Sequence, residues 1–133
     1  MDRLFLDANV LFSAAYRPAA GVARLWQLEG GVALVTSSFA VQEAQRNLEN
    51  PGQKARLEEF LGELEVGEAL MLPPERRGGI ELPEKDWPIL GGAVASGATH
   101  LITGDQRHFG QYLGRQILGV WIVKPGDYLR EKP

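Results

Sequence analysis

Four acidic side chains draw notice by where they fall: Asp7, Glu43, Asp86 and Asp105. Asp7 closes one apolar run, Arg-Leu-Phe-Leu-Asp, and Asp105 closes another, Leu-Ile-Thr-Gly-Asp. A carboxylate at the carboxyl end of a buried strand sits at the edge where parallel sheets bind their ligands. Glu43 lies inside a helical stretch that opens at Ser37 or Ser38. A capping box would place its acid at position 40 or 41, which are Ala and Val, so capping does not account for Glu43. It follows Phe39 by one helical turn and so lies near the apolar side of that helix. Asp86 precedes Trp87-Pro88, where an aspartate is an ordinary helix cap, yet it also projects over the apolar stripe Ile89, Leu90, Ala93 and Val94. Each acid alone has a plain explanation as a cap or an exposed carboxylate. Gathered at one sheet edge, they would repel one another unless cations intervene or some stay protonated. Magnesium or manganese would remove that repulsion, and such ions activate water, orient phosphate and stabilise charge in an in-line displacement.

Composition narrows the alternatives. The chain has 133 residues, which suits one domain spanning 1–133, and no cysteine, which excludes disulfides, zinc-thiolate sites and cysteine nucleophiles. Its two histidines, His100 and His108, exclude a histidine-rich metal site, so oxygen ligands and a hard ion are expected. His108 reads as an exposed loop histidine, although it is close enough in sequence to Asp105 to touch a phosphate. A net charge of −3 argues mildly against passive binding of nucleic acid. Basic residues come in small clumps, Lys54/Arg56, Arg76/Arg77 and Arg107/His108, which read as solvated surface. No apolar run of about 18 residues is present to span a membrane. Met1-Asp2-Arg3 leads straight into a strand with no signal-peptide pattern, which predicts a cytoplasmic protein.

The elements that must position the four acids alternate between strand and helix. Strands are predicted at 3–7, 32–36, 68–72, 100–103 and 119–123. Helices are predicted at 9–15, 20–29, from 37 or 38 to 48, at 53–65, 87–96 and around 108–115, with a last short one after Pro125. Asn50-Pro51-Gly52 reads as a turn and 73–79 as a loop within one sheet rather than a linker. Strands without polar alternation, separated by helices, imply an α/β fold: three layers, α/β/α, around a mainly parallel sheet of about five strands. Gly91-Gly92 inside a helix reads as close helix–sheet packing, since no strand precedes it as in a phosphate loop. Trp26, Trp87 and Trp121 read as core or interface residues.

The sequence resembles the PIN-domain family of nucleases. The resemblance rests on Leu-Asp-Ala-Asn-Val-Leu-Phe-Ser-Ala at 6–14, on Glu43, and on the block from Asp86-Trp-Pro-Ile-Leu to Gly97-Ala-Thr-His-Leu-Ile-Thr-Gly-Asp105. The closing Gly119-Val-Trp-Ile-Val-Lys-Pro-Gly-Asp-Tyr-Leu is similar to that family's terminal strand and helix. The resemblance implies a PIN-like fold and a magnesium- or manganese-dependent ribonuclease. It implies that Asp7, Glu43, Asp86 and Asp105 are the catalytic quartet, that Asp7, Asp86 and Asp105 hold the metal, and that Asn9, Ser13 and Thr103 support them. Glu43 would bind or orient the attacking water, and cleavage of the P–O3′ bond would leave a 5′-phosphate and a 3′-hydroxyl. Within the family the chain is most similar to the toxin component of prokaryotic toxin–antitoxin pairs, which implies an RNA substrate, an antitoxin partner and a homodimer. Some relatives carry another aspartate where this chain has Arg107, and some another acid where it has Glu84, so the number of ions, one or two, stays open.

Two other readings compete. A haloacid-dehalogenase-like phosphatase would use Asp7 as nucleophile, but that class resembles Asp-x-Asp and this chain has Asp7-Ala8-Asn9. A non-catalytic RNA-binding or regulatory module could keep the same fold, but it would have no need of all four acids.

Overall fold

The computed structural model describes residues 1–131; the last two residues of the expected 1–133 domain lie outside the described part. The first strand, β1 (Arg3–Leu6), leads into α1 (Ala8–Tyr16). After a 3-10 stretch, Gly21–Gln27, come β2 (Ala33–Ser37), α2 (Ser38–Asn47), α3 (Pro51–Leu61) and β3 (Glu65–Gly67). A longer connection with 3-10 turns at Pro74–Arg76 and Glu84–Asp86 then reaches α4 (Trp87–Ala95) and β4 (His100–Ile102). The chain closes with α5 (Gln106–Phe109), β5 (Gln116–Ile117), β6 (Val120–Val123) and α6 (Pro125–Glu131).

The strands form one six-stranded sheet in the order β3-β2-β1-β4-β6-β5. All neighbours are parallel except the β5–β6 pair. Leu4, Phe5 and Leu6 are all fully buried, and such a strand without alternation needs cover on both faces. On one face α4 supplies it: a Cβ on Gly92 would lie 3.0 Å from the Phe5 ring. Right-handed crossovers place α1 and α2 on the other face, which Leu4 and Leu6 share by strand alternation. The expected three-layer α/β/α arrangement is the one observed.

The differences from the sequence reading have identifiable causes. Segment 68–72 is not a strand; the edge strand is the exposed Glu65–Gly67, paired with β2. The apolar residues of 68–72 cover α4 instead: Leu72 is buried, and the Leu70 carbonyl lies against Gly91. The stretch expected as a helix at 20–29 is a 3-10 segment with no side-chain cap at Ala20. It is held by packing, with Leu25 buried and Trp26 against Phe60 at 4.5 Å between ring centroids. Asn50-Pro51-Gly52 is a helix start rather than a free turn, because the Asn50 side chain accepts from the amides of Gly52 and Gln53 and Pro51 fits the first turn. The helix expected around 108–115 is shorter and earlier, at Gln106–Phe109, because Asp105 caps it. The sixth strand, β5, lies outside the five that the sequence predicts. It is two residues long and turns at Leu118-Gly119, both with positive φ (51° and 82°), the backbone of a tight hairpin without its usual Asn-Gly signature.

Candidate functional site

The chain leaves β1 toward β2 on one side and returns to β4 on the other, so the carboxyl ends of β1 and β4 flank a topological switch point. Asp7 stands there. Its amide donates to the Ile102 carbonyl at 3.0 Å, which fixes the end of β1 beside β4. Its carboxylate does two jobs at once. Oδ1 accepts from the Ala8 amide at 2.6 Å, capping α1, and Oδ2 accepts from the Thr103 hydroxyl at 2.7 Å and the Asn9 amide at 3.0 Å. Asn9 in turn accepts from the Gly104 amide at 2.9 Å, and the Thr103 hydroxyl accepts from the Asp105 amide at 3.0 Å. The two loops beyond β1 and β4 are thereby locked together through side chains. Burial is the main force pushing the Asp7 carboxyl up to about 6; the hydrogen bonds from Thr103 and Ala8 oppose it, and the charges of Asp105 and Asp86 add to it.

Asp105 also divides its oxygens. Oδ1 caps α5 by accepting from the amides of Arg107 and His108, both at 3.1 Å. Oδ2 turns to His108 Nδ1 at 2.9 Å. Asp86 stands at the start of α4 but makes no side-chain cap hydrogen bond, unlike the ordinary capping aspartate its position suggests. Its Oδ2 also lies 2.9 Å from His108 Nδ1, yet it is buried and has no hydrogen-bond partner. One imidazole nitrogen carries one hydrogen, and the ring directs it at Asp105, leaving Asp86 off that line. Burial first, and then the Asp105 charge, raise the Asp86 carboxyl above its ordinary value against the pull of His108 and Lys85.

Glu43 completes the ring of acids from the middle of α2, whose start is capped by Ser37 accepting from the Ala40 amide at 3.2 Å. Its carboxylate is partly exposed and pairs with Arg46 at 2.6 Å. All four acids line one cleft of about 590 Å³, together with Asn9, Phe12, Phe39, Lys85 and His108. Ser13, named with Asn9 and Thr103 as a support, is exposed and is not among the residues lining that cleft. Asn9 and Thr103 both grip Asp7. The residue undervalued by the sequence reading is His108, which is partly buried between two acids rather than exposed in a loop. Its place three residues after an acid that caps a short helix is the signal that could have found it.

The chemistry of this set fits a divalent cation. One oxygen from each of Asp86 and Asp105 and a ring nitrogen of His108 lie within 4.8 Å of one another, Asp86 Oδ2 lacks a proton donor, and buried Asp7 is electrostatically coupled to both carboxylates. Among the described residues no helix is long and apolar enough to cross a membrane.

No protein-family model matches the sequence, and no curated protein matches it. Solved structures do. A chain of VapBC2 from Rickettsia felis, solved bound to a DNA fragment from their promoter, is similar with a TM-score of 0.65 at 18% identity, covering 92% of this chain and 98% of that one. A chain of VapBC-1 from nontypeable Haemophilus influenzae is similar with a TM-score of 0.57 at 17% identity, covering 93% of this chain and 98% of that one. At such identities the likeness is one of fold: this chain shares the mostly parallel, helix-flanked sheet of both VapBC chains over nearly its whole length.

Proposed function

We propose that the protein is a metal-dependent endoribonuclease, the toxin of a toxin–antitoxin pair. The observation that carries this reading is the convergence of Asp7, Glu43, Asp86 and Asp105 in one cleft at the switch point of a parallel sheet. The shared fold of the VapBC chains supports it. So does the resemblance of the acidic blocks to PIN-domain nucleases. A second protein acting as antitoxin and a second copy of the chain are the partners this reading implies.

Asp7, Asp86 and Asp105 would hold magnesium or manganese. When bound, such an ion supplies charge neutralisation and Lewis acidity toward a phosphate and its attacking water. The chain's own groups do the rest. Thr103 and Asn9 keep the Asp7 carboxylate aimed into the cleft. Glu43, on the α2 side, orients a water and takes its proton, while Arg46 restrains its carboxylate. Exposed Lys85 lines the same cleft and offers a cation to a non-bridging phosphate oxygen. In-line attack on phosphorus with loss of the 3′-oxygen leaves a 5′-phosphate and a 3′-hydroxyl.

The test is incubation of purified protein with RNA in magnesium, manganese or chelator, followed by sequencing of the cleavage ends. Cleavage that needs the metal, yields 5′-phosphate ends and disappears in a folded Asp7→Asn variant is the expected result. Full activity in that variant, once contaminating nuclease is excluded, would sink the assignment.

A further inference from the structure

We propose that His108 is a nitrogen ligand of the cation and makes the cleft favour manganese over magnesium. This rests on the metal-dependent reading above and adds to it a ligand that the acidic quartet does not contain. Nδ1 of His108 lies 2.9 Å from Asp86 Oδ2 and 2.9 Å from Asp105 Oδ2. Neighbouring ligand atoms around a small divalent ion, each about 2.1 Å from it, are themselves about 3 Å apart. Both carboxylate oxygens already stand at that spacing from the ring nitrogen, and the three donors, on three different side chains, lie within 4.8 Å of one another.

A hydrogen bond alone explains the arrangement poorly. Nδ1 can donate to one oxygen, and it serves Asp105, so Asp86 Oδ2 is buried beside the ring without a partner. With the ring hydrogen on Nε2 instead, Nδ1 and the two carboxylate oxygens each offer a divalent ion a lone pair, and none is left unsatisfied. The histidine is also built in. The Asp105 carboxylate that faces its ring caps α5 through the amide of His108 itself. Fully buried Phe109, the next residue, anchors that helix in the core. The imidazole is thus held to the acid with which it would share the ion.

The choice of ion follows from ligand chemistry. Magnesium prefers oxygen donors and sheds water reluctantly. Imidazole suits iron, nickel, copper and zinc. Manganese, the first member of the series whose affinities rise toward copper, accepts a nitrogen donor more readily than magnesium does. A site of carboxylates plus one imidazole therefore binds manganese more tightly than carboxylates alone would, and gains little for magnesium.

Pulsed electron paramagnetic resonance on the full chain loaded with one manganese ion reads the ligand directly. Coupling to a directly bound imidazole nitrogen is expected in the wild type and lost in His108→Gln. Calorimetric titration of the same variant should weaken manganese binding by about tenfold or more, as loss of a metal-site group commonly does, and magnesium binding by no more than about twofold. A manganese signal showing oxygen ligands only overturns the proposal in the wild type, whether or not the variant folds. Equal loss for both metals, or tighter manganese binding in His108→Gln, overturns it too. Failure of the wild type to bind either metal, or binding indifferent to Asp7→Asn, would instead bring down the nuclease reading on which it rests.

Discussion

Asp7 carries a conflict that defines the site. It is 5% exposed, and burial with neighbouring acids pushes its carboxyl up to about 6, from 3.8 in an unfolded chain. The folded state therefore binds a proton more tightly than the unfolded state. Stability from this group is fullest below about pH 4 and declines as pH rises through 6. At neutral pH the ionised Asp7 opposes folding in metal-free protein, while its hydrogen bonds from Thr103, Asn9 and Ala8 hold it in place. Asparagine removes the charge and keeps one oxygen for Thr103 and Asn9, but its amide nitrogen replaces the oxygen that accepts from Ala8, a lost cap of about 1 kcal/mol. Asp7→Asn should thus stabilise the metal-free protein by roughly 2 kcal/mol at pH 7, measured by denaturant unfolding in chelator, even as it abolishes cleavage. A variant less stable than the wild type under those conditions would show that the carboxylate is not the burden described.

Helix α4 shows how an element can be shaped by its neighbours more than by its own preferences. Two adjacent glycines in a helix interior lower its intrinsic stability, yet Trp87, Ile89, Leu90 and Ala93 are buried around them. A Cβ on Gly91 would run into the carbonyl of Leu70, and one on Gly92 would press on the Phe5 ring. The helix lies close to the sheet on one side and to the 68–72 segment on the other, which brings Asp86 at its start into the cleft. Gly91→Ala should destabilise the fold by about 3 kcal/mol through overpacking, despite alanine's better helix propensity. Gly110→Ala, with nothing within 4 Å of the added carbon, is the control that should change little in the same thermal unfolding measurement.

At the scale of the molecule, the parallel sheet sets the acids beside one another and the burial around them raises the electrostatic cost of ionising both Asp7 and Asp86. The metal-free protein should therefore become less stable as pH rises from about 4 to about 7 and these groups lose protons, the upper part of the window being set by the Asp7 value of about 6. Manganese should reverse the trend. At about a hundred times its dissociation constant it should add about 2.7 kcal/mol at pH 7, and much less in acid, where protons compete for the same oxygens. Thermal unfolding across this range, with manganese and with chelator, checks both signs. An unfolding midpoint indifferent to the metal at neutral pH would contradict the coupling of site and fold.

The alternation of unpatterned strands with amphipathic helices made the layered, mainly parallel fold legible from residues alone. Asp7 and Asp105 at strand ends were legible for the same reason, since a strand end in such a sheet has one functional edge. The strand at Glu65–Gly67 was not, because it is polar, exposed and three residues long, whereas the more apolar 68–72 packs on α4. Nor was the hairpin at Leu118-Gly119, where a leucine takes the positive φ that usually signals Asn, Asp or Gly. Sequence placed the four acids at candidate positions but could not decide their directions. Only tertiary contacts determined that Asp86 leaves its helix uncapped, that Glu43 reaches the same cleft, that Ser13 does not, and that His108 stands between two carboxylates. Local chemistry names the groups able to bind an ion; which lone pairs meet depends on how distant segments pack.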